Sequence, residues 1–475
     1  MSLAITAAAA FSSASLTADG ANSDYSTLLL LDENAVESSR GVVFSLNQPT
    51  KHEANPVLLP GDTSKWDSLQ VSWPGTVLYS AEEGLFRCWY AGLDAVQSTP
   101  GRYWKTGYAE SKDGIHWTKP DLGQETYLDR PTNRVVLPFA GPDFLRVVFE
   151  NPDRSNPERR FGGIYLDLPT AYGICWSADG KTWTRGDTLY EYSSLRQDIC
   201  QVFFDDADPD PNYRVKGYSQ LQIARDWDGR EGIRQIGLSH GPSVDNLQPY
   251  KDPLILRPQR GIDEELHGCS VYRIGSTYVM LFESDTFSTV PLHGDLRLAV
   301  STDGRSFRRV HPDKPFIPTG PQGSWDENLL INTAEWIQEV GDDLYIYYFG
   351  CPNVYNNWPS AYAVSGDRRG SLFYPVYLGL ATLPRDRFGY ASGPGEMVTH
   401  PLRIGNRGLW VNADGSGIAV EALNFGGETV AEGRLGAKTL QTVYRNVDWT
   451  PGAPNDSVRL RFRLDGSTKL YSVRY

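Results

Sequence analysis

The feature that most constrains this chain is a short motif that recurs along it. It runs Ser111-Lys-Asp-Gly-Ile-His-Trp117, Ser177-Ala-Asp-Gly-Lys-Thr-Trp183 and Ser301-Thr-Asp-Gly-Arg-Ser-Phe307. The first two serines are 66 residues apart and the next two 124, so one unit is about 62 residues long. A degenerate copy is expected near residue 239, where Ile236-Gly-Leu-Ser239 stands. A fifth, Leu378 to Phe388, keeps the apolar strand and replaces the turn. In each full copy an apolar strand runs into Ser-x-Asp-Gly. This is a tight turn in which glycine takes positive φ and aspartate bonds the backbone. The motif therefore reads as a hairpin turn, not as a ligand site.

An aromatic strand precedes each turn: Phe86–Tyr90, Arg160–Tyr165, Tyr213–Tyr218, Tyr278–Phe282 and Leu344–Tyr348. One more short strand precedes each of these. Four strands per unit, five times over, predict an all-β chain with a five-bladed β-propeller across residues 61–395. Residues 396–475 differ. Val458–Leu464 alternates apolar and polar, and the turns are rich in Gly, Pro and Asn. That pattern predicts a C-terminal β-sandwich. Residues 25–60 read as an N-terminal arm that runs along the outside or joins the sandwich. Residues 1–24, rich in Ala and Ser, read as a flexible tail or a signal remnant, which favours secretion and leaves the compartment open.

Composition narrows the function. A 12% aromatic content is too high for a disordered chain. A formal charge of −13 argues against a nucleic-acid partner, which requires a basic face. No apolar run approaches the roughly 20 residues of a membrane helix. The five cysteines, at 88, 175, 200, 269 and 351, have no metal-type spacing and read as buried thiols.

In a ring of blades the innermost strands open at one mouth, so their first residues are where chemistry is sought. Asp143 and Asp198 open two such strands, each followed by an aspartate ten residues on. Trp66-Asp67 and Trp73 stand before another, Asp263-Glu-Glu265-Leu-His267 before the next, and Trp325-Asp326-Glu327 before the last. Converging carboxylates suit glycoside hydrolysis. One acid protonates the leaving oxygen, one carboxylate attacks or activates water, and a third holds a hydroxyl. Trp66, Trp73, Trp325 and Trp358, with His267 and Asp326, suit binding of sugar rings. No cofactor is required. A structural channel cation is compatible, with His267 as its ligand.

At these residues the chain resembles the five-bladed β-propeller glycoside hydrolases, the clan of invertase-like and arabinanase-like enzymes, and within it a bacterial group. The stretches that carry the resemblance are Leu30–Asp32, Asn47–Val57, the Ser-x-Asp-Gly turns, Gly379–Gly389 and Leu470–Tyr475. The resemblance implies a base or nucleophile at Asp67, a second aspartate at Asp143 or Asp198, and a general acid at Glu265 or Glu327. The invertase-type Asn-Asp-Pro-Asn-Gly stretch is missing, as are the Arg-Asp-Pro and Glu-Cys signatures. The expected substrate is an oligosaccharide, a polysaccharide or a small glycoside. Two rivals stand beside this reading: a noncatalytic carbohydrate-binding propeller, and a sialidase-like enzyme using Arg146, Arg196 and Arg273.

Overall fold

The computed structural model describes residues 26–94, 104–137, 144–167, 171–191, 197–222, 233–286, 293–352, 375–404, 408–415, 417–435, 443–454 and 456–475. Asp143, Trp358, Arg196 and the N-terminal 24 residues lie outside the described residues. The chain is all-β; its helical elements among the described residues are four three-residue 3-10 turns.

Five groups of antiparallel strands follow one another. We label their leading strands β1 (Gln70–Ser80), β2 (Leu145–Glu150), β3 (Gln197–Phe204), β4 (Glu265–Ile274) and β5 (Leu329–Val340). β1 is followed by Leu85–Leu93, Lys105–Ser111 and Arg134–Val135 in one sheet. β2 and β3 each lead a four-stranded sheet in simple up-and-down order. β4 precedes Thr277–Thr286 and His293–Ser301, edged by Arg308–Arg309. β5 precedes Asp343–Cys351 and Tyr377–Pro384. The outer strand of this last group comes from the other end of the chain: Thr50–Lys51 pairs antiparallel with Thr382 and Ala381. The N-terminal arm thus completes the fifth group, which ties the chain's start to its last third.

Each leading strand packs on the next, and β5 returns to β1. The apolar core follows the same circuit. Trp89 and Tyr108 pack with Val148, Phe161 and Trp183. Phe149 and Ile174 pack with Val202 and Val215. Tyr218 and Leu238 pack with Met280 and Phe282. Leu281 and Leu298 pack with Trp336 and Ile346. Phe349 and Leu378 pack with Val77 and Phe86. The hydrophobic effect therefore joins neighbouring groups, and no group has a private core.

The repeated turns add a polar join to the apolar one. Ser111 Oγ accepts from Gly114 N at 2.9 Å, and Asp113 Oδ1 accepts from Ile115 N at 2.9 Å and His116 N at 2.8 Å. Ser177–Gly180 and Ser301–Gly304 repeat this arrangement. The glycine carbonyl then accepts from an aromatic side chain of another group. Tyr347 Oη donates to Gly114 at 2.9 Å, Trp89 Nε1 to Gly180 at 2.6 Å and Tyr218 Oη to Gly304 at 2.9 Å. Gly114 sits at φ 76°, and a Cβ there would meet the Tyr347 hydroxyl. Backbone conformation and the latch both demand glycine.

The C-terminal residues form one twelve-stranded sheet that also takes in Thr27–Leu29, Val36–Arg40 and Val43–Leu46. Ser457–Leu464 alternates buried and less buried residues along its length. Its inward side chains, Val458, Leu460, Phe462 and Leu464, join Leu30, Phe44, Met397 and Val473 in one core.

Candidate active site at the starts of the leading strands

The acids at the strand starts fall into two kinds. The first kind is a module that occurs twice. Trp66-Asp67 and Trp325-Asp326 each close a loop, with Gly61 N bonded to Asp67 O at 3.3 Å and Gly320 N to Asp326 O at 2.8 Å. Asp67 Oδ2 accepts from Tyr90 Oη at 2.7 Å and pairs with Lys119 Nζ. Asp326 Oδ2 pairs with Lys51 Nζ at 2.6 Å and lies 3.4 Å from Tyr348 Oη, while Oδ1 accepts from Ser324 at 2.9 Å. The tryptophans stack on the same tyrosines, with ring centroids 6.1 Å apart for Trp66–Tyr90 and 5.7 Å for Trp325–Tyr348. Close approach is permitted by Gly92 and Gly350, where a Cβ would strike the indoles. Both aspartates are buried, at 1% and 3% exposed. Glu327 beside them bonds Gly323 N and lies 3.4 Å from Asn328 Nδ2, holding its own loop.

The second kind gathers around β3 and β4. Asp198 is the second residue of β3 and Glu265 the first of β4. Asp198 Oδ1 pairs with Arg146 Nη2 at 3.1 Å and lies 3.4 Å from Tyr172 Oη. Glu265 Oε2 pairs with Arg234 Nη1 at 3.1 Å. The Gln220 side chain lies between the two pairs. Oriented to satisfy its neighbours, its carbonyl oxygen accepts from Arg234 Nε at 3.3 Å. The same amide donates to His267 Nε2 at 2.9 Å. That bond makes Nε2 the acceptor and leaves Nδ1 to donate to Glu283 Oε2 at 2.9 Å. The His267 ring is held on its other side by Trp73, centroids 5.1 Å apart, and the Arg146 guanidinium lies 5.6 Å from that indole. Asp67, Asp326 and Glu327 share no hydrogen bond or ion pair with this set among the described residues.

The electrostatics of the second set are those of a crowded, dry acid cluster. Burial, with the Arg234 charge beside it, pushes the His267 imidazolium well below its ordinary range, so the ring is neutral. Glu283 and Asp285 share one face of the strand Thr277–Thr286, behind His267 and Glu265. Burial raises both carboxyls well above their usual values; each also feels Glu265, and Asp285 feels Glu283. Both oxygens of Asp285, Oε1 of Glu283 and Oδ1 of nearby Asn332 are buried acceptors with no donor. Such atoms are satisfied when the carboxyls keep protons. Among the described residues no group of three or more His, Cys, Asp or Glu side chains is arranged to hold a metal ion. The five cysteines are free and buried. Arg273 is engaged with Asp205 at 2.9 Å in a separate ion cluster around Lys216.

Gln220, Arg234, Glu283 and Asp285 were not singled out by the sequence reading. One signal was available: Phe282-Glu-Ser-Asp285 places two carboxylates two residues apart in an otherwise apolar strand. Alternation then sends both to one face.

No protein-family model and no curated protein matches the chain. Solved structures align with it at low identity. A glycoside hydrolase aligns at 12% identity over 71% of this chain and 92% of its own, with a TM-score of 0.49. An alpha-L-arabinofuranosidase from Podospora anserina in complex with cellotriose aligns at 13% identity over 71% and 98%, with a TM-score of 0.44. A fructofuranosidase from Schwanniomyces occidentalis complexed with fructosylnystose aligns at 11% identity over 88% and 99%, with a TM-score of 0.41. Likenesses this distant leave the function to be argued from the site.

Proposed function

We propose that this chain is a glycoside hydrolase whose reacting carboxylates are Asp198 and Glu265. The observation that carries the reading is their placement. They open two adjacent leading strands and each is paired with an arginine, with Gln220 between the two pairs and beside the Trp73–His267 pair. We read the five groups as blades of a propeller, because both the leading strands and the cores close on themselves. The C-terminal sheet is then the sandwich packed beside it.

In this reading Asp198, paired with the Arg146 guanidinium, serves as the nucleophile or water-activating base. Glu265, set beside the buried Glu283–Asp285 pair, serves as the proton donor. His267, neutral and fixed in one tautomer, positions Trp73 and Gln220 rather than exchanging protons. Trp73 offers an apolar face to a sugar ring. Asp143, immediately before the buried Phe144, remains a candidate third carboxylate. Asp67 and Asp326, with Trp66 and Trp325, become structural members of the Trp-Asp modules.

The test is turnover on a broad panel of aryl glycosides and oligosaccharides by wild type, Asp198→Asn, Glu265→Gln and Asp67→Asn. Loss in the first two variants and retention in the third supports the assignment. Activity surviving in Asp198→Asn and Glu265→Gln overturns it. One observation favours a binding role instead: both acids are already neutralised by arginine. That reading expects sugar to bind with no product in a sensitive reducing-sugar assay.

A further inference from the structure

The leading strands have a second set of ends. Their C-terminal halves surround a separate cavity of about 1020 Å³, walled by Tyr79, Tyr272, Glu335 and Gln338. It lies about 20 Å along β4 from Glu265, at the strand rise of roughly 3.3 Å per residue. The proposed chemistry at the other end has no part in it. The volume is that of a small-molecule site.

The charges in this cavity are matched with one main exception. Glu150 pairs with Arg154 at 2.9 Å and with Arg160 at 3.5 Å. Arg160 is also forked onto Glu83 at 2.7 and 2.9 Å. Glu339 is held by Arg385 and by the Tyr272 hydroxyl. Glu82 stands on the exposed rim. Glu335 is set into the wall without a cation among the described residues: its side chain accepts from the neutral amide of Gln201, whose Nε2 donates to Oε2 at 3.2 Å. That amide is itself clamped to β4, donating to Val271 O at 2.9 Å and accepting from Val271 N at 2.6 Å. The carboxyl is therefore positioned rigidly, with one oxygen left for something else. Burial pushes Glu335 up to about 8, the Gln201 bond opposing it.

We propose that this second cavity binds a protonated organic amine, with Glu335 as its counter-ion and the rings of Tyr79 and Tyr272 as its walls. A fixed carboxylate in a partly dry cavity gains most from a cation that brings its own N–H donors. Tyrosine faces add cation–π attraction. The arginine-matched acids around it give an anion no foothold.

Calorimetry of the full chain with 1,4-diaminobutane, and with neutral 1,4-butanediol as control, tests the proposal. The diamine is expected to bind and the diol not. Binding at pH 7, measured in buffers of different ionisation enthalpy, should release close to one proton, because the ligand selects the ionised carboxyl. Affinity should rise about tenfold per pH unit between 6 and 7.5 and level off above 8. Glu335→Gln should lower affinity at least tenfold and abolish the proton release, with glycoside turnover unchanged. Equal binding of diol and diamine, no binding of either, or diamine binding without proton release would each overturn it. The proton count in wild type decides the matter even if the variant fails to fold.

Discussion

The two Trp-Asp modules and the Asp198–Glu265 cluster start from the same ingredients, carboxylates at the head of a leading strand, and reach opposite ends. In the modules each acid is held by a lysine and lies against a tyrosine hydroxyl, and Asp326 is held by a serine as well. In the cluster a neutral histidine, two arginines and a pair of proton-holding acids leave buried oxygens without donors. An acid tied to a lysine and a tyrosine on its own side of the ring can hold a loop. An unsaturated, crowded acid is costly to the fold and suited to proton transfer.

The largest expected contrast lies in activity. Asp198→Asn and Glu265→Gln should each lower kcat/KM by about 10³ or more, the scale of losing acid–base catalysis, with melting temperature little changed. Asp67→Asn and Asp326→Asn should do the reverse. Each strands a lysine beside a tyrosine ring and should cost about 3 kcal/mol in denaturant unfolding, while turnover per folded molecule is kept. Equal losses of activity from both pairs would erase the distinction.

Gly114→Ala and Gly180→Ala should come next. Positive φ and a Cβ set against Tyr347 or Trp89 should cost about 2 kcal/mol each. Tyr347→Phe removes the latch without crowding and should cost about 1 kcal/mol.

The two kinds of acid should also divide the pH profile of stability. Against burial, which raises them, hydrogen bonds hold Asp113, Asp179 and Asp303 below the usual range: the His116 side chain first for Asp113, and backbone N–H groups and a serine in all three. Folded pKa values below the unfolded ones mean stability present above about pH 4 and lost as pH falls. Glu283 and Asp285 are raised by burial, so their contribution is present below about pH 4 and is lost as pH climbs through their folded values. Glu283→Gln or Asp285→Asn should therefore flatten the alkaline decline in melting temperature and leave the acid limb alone. The smallest effect is expected from Glu327→Gln. It touches only its own loop and should shift stability by less than about 0.5 kcal/mol.

Much of the architecture is legible in the chain because its rules are local. Ser-x-Asp-Gly fixes a turn through bonds spanning two or three residues, so a spacing of about 62 residues announces repeating hairpins without any knowledge of neighbours. The partners of those turns are not legible. Trp89 reaches Gly180 across 91 positions and Tyr347 reaches Gly114 across 233. The closing strand Thr50–Lys51 escapes the pattern for the same reason, since two residues carry no periodicity.

The sequence by itself determined that the protein is all-β, built of repeating strand groups, with carboxylates at the heads of the leading strands. It could not tell Asp67 from Asp198. Both are aspartates near a strand start with one polar and one apolar neighbour, and what separates them is a lysine 52 positions from one and an arginine 52 positions from the other. Glu283 and Asp285 were hidden in a strand read as packing. Only the tertiary structure decided which acids are paired, buried or left with lone oxygens. Protonation and reactivity depend on charge and solvent within a few ångströms, and that neighbourhood is assembled from distant parts of the chain.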